Sequence, residues 1–166
     1  MADPDPFADV LAANAEFADG YDLGGLQATA AKGLAVLTCM DSRIDPLRML
    51  GLKPGDAKIL RNAGARVTDD VLRTLVLARY LLGVERVMVV AHTRCRMAGG
   101  TEDDVHEAIK DAGGPDTRSM SFLTTTDQDD AVSLDVQRAR SSPYLVGTTV
   151  GGFVFDIDSG RLRRVC

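Results

Sequence analysis

The sequence predicts a three-layer α/β fold, in which a mostly parallel four-stranded sheet in the order 2-1-3-4 lies between helices and carries a C-terminal hairpin strand. Short apolar runs without alternation indicate strands buried on both faces, and amphipathic segments lie between them. Because strands and helices alternate, each helix should connect two parallel strands of the sheet, and such crossovers are right-handed. The 166 residues, 45% of them apolar, suffice for one domain. Residues 1–33 are expected to form a helical arm and loop, and residues 34–166 the α/β domain.

The charge and the apolar pattern exclude several classes of function. The formal net charge is −5 and the isoelectric point lies near 5.0, which disfavours binding to nucleic acid or to anionic lipid. No apolar run approaches the ~20 residues that a transmembrane helix needs, so no membrane partner is expected. The acidic start of the chain resembles neither a secretory signal nor an Arg-rich transit peptide, and a cytoplasmic location is therefore expected.

The first half of the chain predicts an arm, two strands and a short helix. Residues 7–18 have apolar side chains at helical spacing and precede a loop rich in Gly and Asp, which is typical of an arm that packs on a partner subunit. Residues 34–38 (LAVLT) predict the first strand, and residues 57–61 predict the second. Between them, Asp45 and Pro46 predict the N-cap and the first residue of a short helix.

The second half predicts further helices and strands around an irregular loop. Thr68 is expected to cap a helix that ends near Leu82, and residues 86–91 (RVMVVA) predict a third buried strand. Residues 115–128, rich in Ser, Thr and Asp, predict a mobile loop, and the terminal Cys166 is expected to fray. The remaining predicted elements are helices at 102–111 and 130–140 and a hairpin with strands at 152–157 and 161–165.

Three side chains that bind transition metals lie at neighbouring strand ends of the predicted sheet. Cys39 follows the first strand, and His92 and Cys95 follow the third. Ligands of such sheets bind outside the carboxyl ends of the strands. Two thiolates and one imidazole suit zinc and leave a fourth tetrahedral position open, as in catalytic sites. Two other interpretations remain: the cysteines are small buried apolar residues, or Cys39 and Cys95 form a disulfide, which suits the cytosol poorly.

Three short motifs follow the first three predicted strands. They are Cys-x-Asp-x-Arg at residues 39–43, Arg-Asn-Ala-Gly at residues 61–64 and His-x-x-Cys at residues 92–95. In this order they resemble the motifs of the β-class carbonic anhydrases, in particular the small bacterial forms. The resemblance covers the chain from about Leu34 to Val165. It implies a lyase that interconverts CO₂ and bicarbonate with the help of zinc.

The resemblance also implies a role for each residue of the first and third motifs. Cys39, His92 and Cys95 are expected to be the zinc ligands, and Asp41 and Arg43 to form a dyad beside the open position. Zinc lowers the pKa of its bound water, so a hydroxide is available near neutral pH to attack CO₂. Asp41, held ionised by Arg43, is expected to orient that hydroxide. If the pairing breaks, the same carboxylate is expected to bind zinc and close the site.

Three further positions are expected to border the pocket. Asn62 and Gly64 belong to the loop after the second strand, where a plain turn explains them equally well. Arg96 stands where the family usually has Gly, and Arg94 is nearby. The Arg96 guanidinium is therefore expected to lower the pKa of bound water, to bind bicarbonate or to obstruct the pocket.

Two other functions stay open on the sequence alone. The same zinc site would serve a hydrolase of carbonyl sulfide or carbon disulfide, as in relatives of this fold. A zinc-containing binding or sensing domain without catalysis would result if Asp41 permanently occupied the fourth position and Arg96 filled the pocket. The arm and the resemblance together predict a homodimer or a homotetramer with the pocket at the subunit interface.

Overall fold

The structure is a computed structural model that describes residues 5–166, and within that range it contains five α-helices and five strands. The helices are α1 (Ala8–Asp19), α2 (Pro46–Met49), α3 (Asp69–Leu81), α4 (Glu102–Asp111) and α5 (Gln128–Arg140). The strands are β1 (Leu34–Cys39), β2 (Ala57–Asn62), β3 (Arg86–His92), β4 (Thr149–Phe155) and β5 (Leu162–Arg164).

All five strands form one sheet in the order β2-β1-β3-β4-β5. The first four strands of the chain pair in parallel, and β5 pairs with β4 in antiparallel fashion. The predicted fold class is therefore confirmed, and the hairpin strand extends the same sheet as its fifth member.

Every residue of β1 is buried, because β2 and β3 flank the strand and helices cover its faces. Successive side chains of a strand point to opposite faces. Ala35 and Leu37 accordingly belong to the larger core, to which α3 and α5 contribute. Leu34 and Val36 belong to a smaller core on the other face, against which Met49 of α2 packs. This packing fixes where β1 ends, and its carboxyl end carries the first cysteine.

Strand β4 begins at Thr149, three residues earlier than the predicted start at Gly152. Gly151 and Gly152 interrupt the apolar pattern by which the start of this strand could be predicted from the sequence. The structure nevertheless requires glycine at position 152. A Cβ at Gly152 would lie 2.5 Å from Val132 Cγ1 and 2.9 Å from Cys166 Sγ, so α5 can approach the sheet closely only because Gly is present. The Gly152 amide also donates to the Cys166 carbonyl at 3.0 Å. The expected fraying of Cys166 is therefore wrong.

The loop before α5 has no regular secondary structure, but hydrogen bonds tie it down. The Glu102 carboxylate accepts from the amides of Phe122 at 2.7 Å and Thr124 at 2.8 Å. The hydrogen bonds from these two backbone amides hold the pKa of Glu102 below its usual range. The Thr125 amide donates to the Met97 carbonyl at 3.0 Å. The segment predicted to be mobile is thus anchored on α4 and on residues close to the third motif.

The N-terminal helix α1 lies exposed on the described part of the chain. None of its residues from Ala8 to Asp19 is buried, although Val10, Leu11 and Phe17 are apolar. Among residues 5–166, no helix combines the length and the apolar composition that crossing a membrane requires.

Candidate metal centre

The sheet register brings the first and third motifs together. Thr38 of β1 pairs with Val90 of β3, so both strands reach the same edge of the sheet, where Cys39 and His92 are their last residues. After His92 the chain turns, and Cys95 returns to this edge. The structure therefore brings together the three side chains that the sequence placed at neighbouring strand ends.

The geometry of these three side chains suits a tetrahedral metal. Their ligand atoms all lie within 4.8 Å of one another, and Cys39, His92 and Cys95 are all buried. The two sulfurs are 4.0 Å apart. Zinc–sulfur bonds of about 2.3 Å at a tetrahedral angle would separate them by about 3.8 Å. Both cysteines are free, so the structure does not support the disulfide interpretation.

The orientation of the His92 ring leaves one nitrogen available for a metal. Nδ1 lies 2.9 Å from the carbonyl oxygen of Thr93, which can only accept, so Nδ1 carries the proton. Nε2 then presents a lone pair, and it is buried with no hydrogen-bond partner among the described residues. A buried polar atom without a partner costs free energy. A cation at this position would remove that cost, and the carbonyl already fixes the tautomer that a metal requires.

The two thiols influence each other strongly. The hydrogen bond from Cys95 lowers the pKa of Cys39, and His92 and the Gly64 amide, 3.4 Å from Cys39 Sγ, act in the same direction. The same thiol pair and burial raise the pKa of Cys95. One thiolate therefore forms readily while the second is opposed. A divalent cation stabilises both, because its charge outweighs the repulsion between them.

Asp41 and Arg43 form a bidentate ion pair beside these ligands. Arg43 Nε donates to Asp41 Oδ1 at 2.9 Å, and Arg43 Nη2 donates to Asp41 Oδ2 at 2.6 Å. These hydrogen bonds hold the pKa of Asp41 far below its usual range. Asp41 Oδ2 also lies 3.8 Å from His92 Nε2. An ionised carboxylate thus borders the ligand cluster, in the arrangement where it is paired with Arg43.

Arg61 and Gln128 support the site but were not singled out from the sequence. Arg61 donates to the carbonyls of Cys39 at 3.0 Å and Asp41 at 2.6 Å, which fixes the backbone of the first motif. The position of Arg61 at the start of the Arg-Asn-Ala-Gly motif is the sequence feature that could have indicated its role. Gln128 Nε2 donates to the His92 carbonyl at 2.5 Å. Nothing local in the sequence indicates that contact, because Gln128 arrives from α5.

The structure gives Asn62, Gly64 and Arg96 different surroundings. The Asn62 side chain closes a turn on Arg66, accepting from its amide at 2.9 Å and donating to its carbonyl at 2.7 Å. Gly64 has a φ of 78°, a left-handed conformation in which its amide reaches Cys39 Sγ. Arg96 is exposed and begins a single 3₁₀ turn directly after Cys95.

A small cavity of about 10 Å³, room for one water molecule, lies beside Cys95. A buried ion pair stands at its edge, where Arg66 Nε lies 2.6 Å from Asp135 Oδ2. The Arg66 guanidinium also donates to the Leu123 carbonyl of the anchored loop. The apolar residues of the cavity wall are Ala65, Ala91, Met97, Ala98, Leu123, Ala131 and Val132.

Comparisons with known proteins agree with this geometry. A family model described as carbonic anhydrase matches residues 34–118, about half of the chain. The chain is also 39% identical to beta-carbonic anhydrase 1 of Mycobacterium tuberculosis over 160 residues, which cover 95% of this chain and 96% of the relative. The chain belongs to the β-class carbonic anhydrases. The resemblance that the three motifs indicated is confirmed.

Other members and relatives extend the comparison. The crystal structure of carbonic anhydrase from Streptococcus mutans superposes with a TM-score of 0.91 at 35% identity, covering 98% of this chain and 99% of that chain. A protein named carbon disulfide hydrolase from Acidithiobacillus thiooxidans is 29% identical, covering 78% of this chain and 75% of that protein.

Membership of the family settles the general function. The β-carbonic anhydrases are zinc enzymes that hydrate CO₂, and this chain has the Cys39, His92 and Cys95 cluster that could hold the ion. The expected enzyme class, zinc cofactor and small-molecule substrate are therefore confirmed.

Proposed function

We propose that Cys39, His92 and Cys95 bind one zinc ion and that Asp41 and Arg43 orient the reactants in the reversible hydration of CO₂ to bicarbonate. The observation that carries this proposal is the convergence of three buried ligand atoms within 4.8 Å. Zinc held there would supply a Lewis acid that brings the pKa of a coordinated water near neutrality.

The Asp41 carboxylate is suited to orient a reacting oxygen. Because Arg43 keeps it ionised, it can only accept hydrogen bonds. Oδ1 accepts from the Arg43 amide and from Arg43 Nε, whereas Oδ2 accepts from Arg43 Nη2 alone and retains acceptor capacity. Oδ2 is the oxygen that lies 3.8 Å from His92 Nε2. An O–H group between the ligand cluster and Asp41 would therefore donate to this oxygen and direct its lone pair towards CO₂. The Arg43 pairing also competes with direct binding of Asp41 to the metal.

The ligand assignment is tested by a pair of cysteine variants. Cys39→Ser should lose bound zinc and reduce CO₂ hydration at least about 100-fold, because a ligand of the cluster is removed. Cys166→Ser is the matched control, since its sulfur lies against Gly152 on β4 and not in the cluster. Metal analysis and stopped-flow hydration at pH 7 and pH 8.5 measure both properties. Full zinc occupancy in Cys39→Ser would refute the assignment.

The dyad is tested separately from the metal. Asp41→Asn keeps the shape of the side chain but removes its charge, and it should lower kcat about 10- to 100-fold while zinc stays bound. Asp70→Asn is the control, because it breaks the exposed Asp70–Arg73 ion pair on α3. Equal kcat values for Asp41→Asn and the control would exclude the dyad.

The similarity to a carbon disulfide hydrolase favours one alternative substrate class. Carbonyl sulfide and carbon disulfide resemble CO₂ in being linear, and their hydrolysis releases sulfide. We expect kcat/KM for CO₂ to exceed that for either compound. A higher kcat/KM for sulfide release would assign the site to sulfur substrates instead.

The exposed arm supports a homodimer or a homotetramer. Helix α1 leaves Val10, Leu11 and Phe17 in solvent, and a second copy of the chain would bury them. Sedimentation of the full chain should give a dimer or a larger oligomer, and Leu11→Glu should weaken it. Asp9→Lys, on the same helix, is the control. A monomer at micromolar concentration would contradict this proposal.

We propose that Arg96 borders the pocket, because it directly follows the ligand Cys95 and is exposed. CO₂ hydration by Arg96→Gly decides its role. A large gain in rate indicates that the guanidinium obstructs the pocket, and a large loss indicates that it takes part in the reaction. An unchanged rate would remove Arg96 from the site.

A further inference from the structure

We propose that Asp158, acting through Arg94, is a positioning residue for Arg43. The inference deepens the proposed function, because it rests on Arg43 being the partner of Asp41 in the reaction. The observation behind it is a continuous series of contacts that runs from the β4–β5 turn to the guanidinium of Arg43.

The Arg43 guanidinium is held on two sides. Its Nη2 donates to Asp41 Oδ2 at 2.6 Å and also to the backbone carbonyl of Arg94 at 3.3 Å. The Asp41 carboxylate is also tied to the backbone, because its Oδ1 accepts from the Arg43 amide at 3.0 Å, but these contacts lie within the first motif and do not fix the pair relative to the third. The contact with the Arg94 carbonyl does so, because that carbonyl belongs to the turn between His92 and Cys95. The direction of this carbonyl therefore sets where the ion pair stands relative to the ligands.

The backbone of Arg94 points its carbonyl this way in an unfavourable conformation. Its φ is 55°, in the left-handed region, which is unfavourable for a residue with a Cβ and is adopted readily only by Gly. Contacts elsewhere must compensate for that cost. The Arg94 side chain supplies one of them, since its guanidinium forms an ion pair with the Asp158 carboxylate.

Asp158 is itself fixed, because it belongs to an ordered turn. The Asp156 carboxylate accepts from the amides of Asp158 at 3.1 Å and Ser159 at 2.7 Å. The turn is joined to the third motif as well, since the Ile157 amide donates to Thr93 Oγ1 at 3.0 Å. The backbone of this turn therefore holds the Asp158 carboxylate within reach of the Arg94 side chain.

The exposure of the pair decides what kind of role it has. The side chains of Arg94 and Asp158 are 57% and 66% exposed. An ion pair this open to solvent contributes little to the global free energy of unfolding. Its effect is local: it biases the Arg94 turn, and through that turn the position of Arg43.

The test uses zinc-loaded full-length protein and three substitutions. Asp158→Asn removes the charge, Asp158→Glu retains it, and Asp70→Asn breaks another solvent-exposed pair, on α3. Stopped-flow hydration gives kcat and KM, metal analysis gives the zinc content, and ¹⁵N NMR follows the Nε–H signal of Arg43. That signal is assigned by its absence in Arg43→Lys.

Asp158→Asn should lower kcat about two- to fivefold, the range that an exposed ion pair can supply, with KM and zinc content unchanged. The Arg43 Nε–H signal should shift or broaden. Asp158→Glu should recover most of kcat, and Asp70→Asn should change nothing. Arg94→Gly, which accepts the left-handed backbone but lacks the side chain, should reproduce the loss seen in Asp158→Asn.

The outcomes separate this inference from the proposed dyad. If Arg43→Lys impairs kcat but Asp158→Asn changes neither kcat nor the Arg43 signal, the positioning role is overturned and the dyad stands. If Arg43→Lys retains full kcat, both are overturned. A loss in Asp158→Asn that Asp158→Glu does not recover would also overturn the role of the ion pair.

Discussion

Removal of the Asp135 carboxylate is expected to destabilise the protein by about 3 kcal/mol. The Arg66 and Asp135 side chains are only 16% and 7% exposed, and their ion pair measures 2.6 Å. Breaking a buried pair costs about 3–5 kcal/mol, because the remaining charge is left without its partner. Asp135→Ala should fall at the lower end, since the Arg66 guanidinium keeps its bond to the Leu123 carbonyl and some contact with solvent. For a chain of this size the loss corresponds to a Tm lower by about 6–12 °C.

Urea unfolding of the zinc-loaded protein at one fixed protomer concentration measures this loss, since oligomers gain stability with concentration. Asp70→Ala breaks an exposed pair and should cost no more than about 1 kcal/mol. The double variant Arg66→Met/Asp135→Leu should be more stable than Asp135→Ala, because it leaves no buried charge unpaired. If Asp135→Ala costs no more than Asp70→Ala, the reasoning from burial is refuted.

Three further predictions concern packing, pH and the metal. Gly152→Ala should destabilise by about 1–3 kcal/mol in urea unfolding, because the new Cβ would lie 2.5 Å from Val132 Cγ1; an unchanged midpoint would contradict it. The pKa of Glu102 is held below its ordinary value near 4.5 by the Phe122 and Thr124 amides, so its stabilisation of the loop is present above that value and is lost as pH falls through the lower folded pKa. Glu102→Gln should therefore speed hydrogen exchange at these two amides at pH 7 but not at strongly acidic pH, and identical exchange at pH 7 would refute this. Chelation of zinc should lower Tm in calorimetry, and added zinc should restore it. Free zinc at a thousandfold excess over Kd should raise the free energy of unfolding by about 4 kcal/mol, and a Tm insensitive to chelation argues against the ligand cluster.

Most of the sheet and the metal-ligand cluster could be predicted from the sequence, because local patterns indicate both. The largely apolar runs at residues 34–38 (LAVLT) and 86–91 (RVMVVA) are continuous, so each predicts a buried strand. Cys39, His92 and Cys95 come directly at or after the ends of these strands. The rule that parallel strands end at one edge was then enough to bring them together.

The contacts that the sequence did not predict depend on packing between distant segments. Arg66 and Asp135 are 69 positions apart, and only the approach of α5 to the sheet makes them partners. Gln128 reaches the His92 carbonyl across 36 positions for the same reason. Its terminal position predicts that Cys166 frays, yet its side chain packs against Gly152, where the absence of a Cβ leaves room for the sulfur. Each case needs a distance between elements, which no local pattern contains.

The separation of the metal ligands along the chain has a consequence for biosynthesis. Cys39 and Cys95 are 56 positions apart, and no shorter segment of the chain contains two of the sulfurs. A nascent polypeptide therefore cannot chelate zinc through both thiolates until translation has passed residue 95 and β1 has paired with β3. Because the two sulfurs approach each other where β1 pairs with β3, we expect zinc to bind after this part of the sheet has formed, in contrast to a zinc finger, which folds together with its ion.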